Sequence, residues 1–132
     1  MRRSFPLLLS MLMAAGPSVA QDVVLGQETF VQYCSACHGA AARGNGPMAS
    51  VLTLLPSDLT QLSASNGGVF PRSRVIARID GRDPLVAHGS PMPVFGPFFE
   101  GKGMTIRDED GVLVMTSQPI IDVIEWLERI QE

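Results

Sequence analysis

Apolar residues recur at helical spacing near both ends of this chain, while glycine and proline break up the stretch between. Val24 or Leu25, Phe30, Val31 and Cys34 follow a three-to-four-residue rhythm that predicts a first helix over 26–37. Gly39, directly after His38, is its stop signal. Gly26, Phe30 and Cys34 fall on one stripe of that helix, a packing face with a small residue at one end. At the other end, Ile120, Ile121, Val123, Ile124, Leu127 and Ile130 form the apolar face of a terminal helix, with Trp126 adding aromatic bulk. Pro119 suits its first turn and Ser117 its cap.

The middle is less regular. Gly44-Asn45-Gly46-Pro47 is loop punctuation. Residues 48–55 have room for one or two helical turns, and a short element begins near Pro56, capped by Ser57 or Asp58. Val75, Ile76 and Ile79, interleaved with Arg72, Arg74 and Arg78, predict a short amphipathic helix over 72–80 that ends at Gly81. Residues 89–103 are rich in Gly, Pro and Phe, and the prolines around Met92 exclude regular helix or sheet there. Residues 104–107 and 112–116 flank Asp108-Glu109-Asp110-Gly111 and have the look of a hairpin.

The N-terminus reads as a leader. A basic start at Arg2-Arg3, an apolar run over 5–15 and the small residues Ser18-Val19-Ala20 predict a secretory signal peptide over 1–20, cleaved after Ala20. The alternative is an uncleaved membrane anchor. No other hydrophobic run is long enough to cross a bilayer. The remaining 21–132 make one small domain with a limited core. Loss of Arg2 and Arg3 takes the formal charge from −3 to −5, and Lys102 is the only lysine. That balance argues against a nucleic-acid partner.

The chemistry concentrates at Cys34-Ser35-Ala36-Cys37-His38. C-x-x-C-H is the attachment signature of c-type haem. Two cysteines three apart share one side of a helical turn, so each sulfur can add to one porphyrin vinyl group. The histidine that follows can supply the proximal iron ligand. Other readings exist. A thioredoxin-like pair wants a βαβ context. A zinc site would combine Cys34, Cys37, His38 and His88, but lacks a paired second half. A disulfide between Cys34 and Cys37 closes too small a loop to add much stability.

A haem iron held by one histidine has a second axial face, for which Met48, Met92, Met104, Met115 and His88 are candidates. Met92, between two prolines in a stiff apolar stretch well after the haem motif, is the best placed. Met48 and Met115 sit in ordinary apolar patterns that suit core filling. His88 is the bis-histidine alternative.

Three blocks carry a family resemblance. They are Gly26-x3-Phe30-x3-Cys34-x-x-Cys37-His38-Gly39, then Gly44-Asn45-Gly46-Pro47-Met48-Ala49 with Leu55-Pro56-Ser57-Asp58-Leu59-Thr60, then Ile79-Asp80-Gly81-Arg82 with His88-Gly89-Ser90-Pro91-Met92-Pro93-Val94-Phe95-Gly96. Together they make the chain resemble a small exported class I c-type cytochrome with one haem and His/Met ligation. The resemblance implies an all-α fold with helices wrapped round one haem, leaving open a small β-hairpin between the Met loop and the last helix. It implies thioethers at Cys34 and Cys37, His38 as proximal ligand and Met92 as distal ligand. It also places Pro47 near His38, with a carbonyl of that loop on the other imidazole nitrogen, and brings Gly26 and Phe30 to the terminal helix near Trp126. Phe95 stands where the family commonly has Trp. Residues 96–118 form a longer segment than the family needs, either a flap over a haem edge or a docking device.

The expected function is one-electron transfer in the periplasm, between a donor and an acceptor protein met transiently. A cytochrome subunit of a larger oxidoreductase is a variant of this. A gas sensor or haem enzyme with a labile Met92 is a competing function, although the sequence offers it no distal acid–base pair. The basic cluster of Arg72, Arg74, Arg78 and Arg82 is a candidate for haem propionates, for an acidic partner, or for a solvated helix face.

Overall fold

The computed structural model describes residues 22–83, 92–99, 101 and 103–132. The expected leader over 1–20, together with His88 and Pro91, lies outside the described residues.

The first helix is two. Asp22 caps α1 (Val23–Tyr33), its carboxylate accepting from the Val24 and Leu25 N–H groups at 3.0 and 3.1 Å. The helix stops at Cys34, where φ is −115°, and restarts as the single turn α2 (Ser35–His38). Short 3-10 turns follow at Ala49–Val51, Leu59–Gln61 and Ala64–Asn66. Helix α3 spans Arg72–Asp80 as the apolar spacing predicts, and Gly81 ends it in the left-handed region at φ +85°. Helix α4 spans Gln118–Arg129 with Pro119 in its first turn. Ser117 holds the cap position, but its hydroxyl makes no capping bond.

The expected all-α class is overturned. The chain is a small mixed α/β protein, because β1 (Gly103–Arg107) and β2 (Leu113–Ser117) pair as a two-stranded antiparallel sheet. Ile106 faces Val114 across the sheet and is buried against the helices, while Thr105 opposite Met115 points outward. The Asp108 carboxylate accepts from the Asp110 and Val112 N–H groups, and Gly111 at φ +80° turns the chain. These side chains alternate with the period of a strand, which no helix can bury on one face.

The hairpin is docked at several points. The Glu109 carboxylate accepts from the Ser73 N–H at 2.9 Å and the Ser73 hydroxyl at 2.7 Å, at the start of α3. Arg82 donates to the Met115 carbonyl at 2.7 Å. Partial burial alone would raise the Glu109 pKa, but the two Ser73 bonds, helped by its own backbone N–H and the charge of Arg74, hold the carboxyl below its usual value.

The core lies where α1 crosses α4. Phe30, Ile76, Ile120, Ile124 and Leu127 are its largest fully buried side chains among the described residues. Phe30 and Trp126 meet with ring centroids 4.6 Å apart, the contact the family resemblance implies. Gly26 lets the two backbones touch, since a Cβ there would lie 2.0 Å from the Asp122 carbonyl oxygen. The buried Asp122 carboxylate accepts from the Asp22 N–H at 3.1 Å and from Gln118 Nε2 at 2.7 Å, tying the two helix starts together.

Two predictions follow from this packing. Gly26→Ala forces the α1 and α4 backbones apart and lowers stability by roughly 3 kcal/mol, the upper range for overpacking, measurable by denaturant unfolding. As pH falls below the ordinary glutamate range, Glu109 takes up a proton and the stability it contributes at neutral pH is lost. Amide exchange over 103–117 therefore accelerates in acid, and Glu109→Gln abolishes that pH dependence while raising exchange at neutral pH.

Candidate functional site

The break at Cys34 presents the C-x-x-C-H residues to one cavity. The Cys34 N–H donates to the Phe30 carbonyl at 2.8 Å, and the His38 N–H to the Cys34 carbonyl at 2.9 Å. Cys34, Cys37 and His38 thereby share one wall. The following loop folds back over α2. N–H groups of Gly44, Gly46 and Met48 donate to the carbonyls of His38, Cys37 and Ala36 at 2.8, 3.0 and 2.9 Å. Gly46 must be glycine for this, because a Cβ would lie 2.4 Å from the Ala36 carbonyl oxygen. The Gly-Asn-Gly-Pro run is thus the clamp that holds the cysteine turn in shape.

The His38 ring is oriented from the next loop. Its Nδ1 lies 3.2 Å from the Ser57 carbonyl oxygen. A donated Nδ1–H leaves the lone pair on Nε2, the nitrogen available for a metal. The expected carbonyl in the Pro47 loop is therefore replaced by Ser57, and Pro47 itself is exposed. Ser57 is held indirectly. The adjoining Asp58 carboxylate accepts from the Thr60 N–H and hydroxyl, while the Glu132 N–H donates to the Thr60 carbonyl. Burial lowers the His38 pKa and the Ser57 bond only partly offsets it, so the ring favours the neutral, ligating form.

The cavity has a volume of about 570 Å³, inside the range of about 300–1,000 Å³ usual for cofactor pockets. Helices α3 and α4 line it with Val75, Ile79, Val123 and Leu127. Leu54 and Leu55, 61% and 78% exposed, stand at its edge with their apolar surface in water. Met92 lines it too, with Pro93 and Phe95. The described ends of the Met92 segment are fastened to the C-terminus of α3. The Asp83 N–H donates to the Ala77 carbonyl at 3.0 Å, and the Phe95 N–H to the Ile79 carbonyl at 2.8 Å. Gly81 packs on Val94 and Gly96 on the Asp80 carbonyl.

All four predicted site residues, Cys34, Cys37, His38 and Met92, therefore line the same cavity. Met48, Met104 and Met115 do not. Sequence reasoning missed Ser57 as the histidine's partner; only the Ser57-Asp58 turn signal hinted at a fixed backbone there. It also offered a flap over the cofactor at 96–118. The hairpin within that segment contributes no lining residue and covers α3 and α4 instead.

The donor set fits a covalently attached haem, with two thiols and an imidazole on one wall, a thioether in the same cavity and apolar surfaces between. It fits the competing readings less well. Both cysteines are free thiols. Burial, and secondarily Cys37, push the Cys34 thiol up to about 11, the opposite of the activated thiolate a redox pair needs. Among the described residues no group of three or more His, Cys, Asp or Glu side chains is placed to hold a metal ion, so Cys34, Cys37 and His38 do not converge as zinc ligands. No described helix is long and apolar enough to cross a membrane. No family model, curated protein or solved structure matches the chain.

The thiol chemistry is directly measurable. In haem-free Cys37→Ser protein, which keeps the burial that dominates the shift, alkylation of Cys34 at pH 8 runs roughly ten- to a hundredfold slower than for a free cysteine. Its rate climbs with pH well past the usual thiol midpoint. Fast labelling at neutral pH would instead reveal an activated thiolate and favour a thiol-redox role.

Proposed function

We propose that the chain is a monohaem c-type cytochrome that carries single electrons between exported redox proteins. The observation that carries this reading is the meeting of Cys34, Cys37, His38 and Met92 on the walls of one apolar cavity. When bound, the haem supplies a one-electron iron couple.

The residues have separate tasks. The Cys34 and Cys37 thiols would hold the haem as thioethers, each formed by addition of S–H across a vinyl double bond with nothing leaving. His38 offers Nε2 to the iron while the Ser57 carbonyl fixes its ring. Met92, which lines the same cavity, would offer its thioether as the second ligand, one that favours the reduced state. Val75, Ile79, Val123 and Leu127 exclude water, which limits reorganisation during transfer. Leu54 and Leu55 leave an apolar edge exposed, where a small transient interface with a donor or acceptor protein would form. The expected leader would deliver the chain to the periplasm, the compartment that suits covalent haem attachment.

The test is the absorption spectrum of the protein exported from a host competent in cytochrome c maturation. The expected result is covalently retained haem, low-spin iron, and a weak long-wavelength sulfur-to-iron band in the oxidised form. Met92→Ala removes that band and opens the iron to added imidazole; His38→Ala abolishes the low-spin spectrum. Low-spin iron without the band would assign His88 instead. High-spin iron in the parent protein would favour ligand binding over electron transfer. No covalent haem would defeat the proposal.

A further inference from the structure

The four arginines predicted as one basic cluster do not act as one. Arg72 pairs with Glu128 and Glu125, and Arg82 pairs with Asp80 and the Met115 carbonyl. Neither lines the cavity. Arg74 and Arg78, one helical turn apart on α3, both do. They are the only arginine or lysine side chains among the described residues that line it, and no described carboxylate does. An apolar cavity with two guanidinium groups and no acid is built to receive negative charge along with apolar surface.

We propose that Arg74 and Arg78 form the carboxylate subsite of the cavity and hold the two propionates of the haem. This rests on the haem reading above. The cysteines would hold the haem by its vinyl groups, leaving its two propionates to be met by cations elsewhere in the cavity. Arg78 is already oriented. Its Nη2 lies 3.0 Å from Asp83 Oδ2, and the Asp83 side chain is only 10% exposed. A guanidinium has five donors in a planar fork, so it can keep Asp83 on one side and accept a second carboxylate on the other. Arg74 stands further out; it is exposed and feels the charge of Glu109 at the hairpin tip. The arrangement gives the pair different roles. Arg78 anchors one carboxylate beside the base of the Met92 segment, and Arg74 neutralises the other at the solvent edge.

The test compares haem-loaded wild type with Arg74→Gln, Arg78→Gln, the double variant and Arg74→Lys, using Arg82→Gln as a charge-matched control off the cavity. The readout is the reduction potential across the pH range in which carboxylic acids titrate. Loss of a cation beside the haem stabilises the oxidised form, so both Gln variants lower the potential, the double variant most. Their pH-dependent step moves to higher pH because the carboxylates ionise less readily. Arg74→Lys keeps most of the wild-type profile, and Arg82→Gln leaves it in place. A wild-type potential and pH profile in the double variant, or an equal change in Arg82→Gln, overturns the subsite while leaving the haem reading intact. Wild type without covalent haem overturns both. If the double variant does not fold, Arg74→Gln decides the matter, because its exposed position spares the core.

Discussion

The approach of α1 to α4 at Gly26 is the contact on which the rest of the structure depends. With no side chain at Gly26, the α1 backbone reaches the Asp122 carbonyl, and Phe30 drops onto Trp126 one turn later. That crossing aims the end of α1, and with it Cys34, at the space beside Val123 and Leu127 on α4. Asp122 secures the same junction through its carboxylate, a buried acid satisfied by two donors. A looser crossing would separate the cysteine turn from the apolar wall that faces it.

Around that frame, the cavity is assembled from segments with little regular structure. The 39–48 loop holds α2 through its amide groups, Ser57 orients the histidine, and the C-terminal residues hold the Ser57 segment. The Gln131 side chain bridges Ser63, Leu59 and Leu127, so the last residues brace the loop beneath His38. Backbone hydrogen bonds do most of this positioning, which explains why glycines, rather than large side chains, mark the critical places.

Much of this was legible in the residues. The amphipathic pattern of 72–80 and 118–129 placed α3 and α4, and the Asp-Glu-Asp-Gly tip marked the hairpin. That Cys34, Cys37, His38 and Met92 would share one cavity was legible as well, because each residue type has a narrow chemical use at that spacing. The fold class was not. An all-α expectation gave the hairpin too little weight, whereas Ile106 and the Glu109–Ser73 bonds make it an integral cover of the helices. The helix break at Cys34 was hidden because its stripe continues the periodicity of α1. The Ser57 bond was hidden for another reason: it joins a carbonyl to a ring nineteen residues away, and backbone acceptors carry no identity in a sequence. The arginines looked alike until their carboxylate partners were located on α4 and at the end of α3.

The attachment of the Met92 segment to α3 has a consequence for how such a molecule can change. The chain leaves the helix at Asp83 and returns at Phe95, with both anchor points on the same helical turn through Ala77 and Ile79. The described residues from Met92 to Phe95 are thus carried by α3. A change at Met92 alters the group offered to the cavity without touching the α1–α4 crossing at Gly26 and Asp122. The cavity therefore has one side locked by close backbone packing at Gly26 and Gly46, and a second that depends on backbone hydrogen bonds to the end of α3.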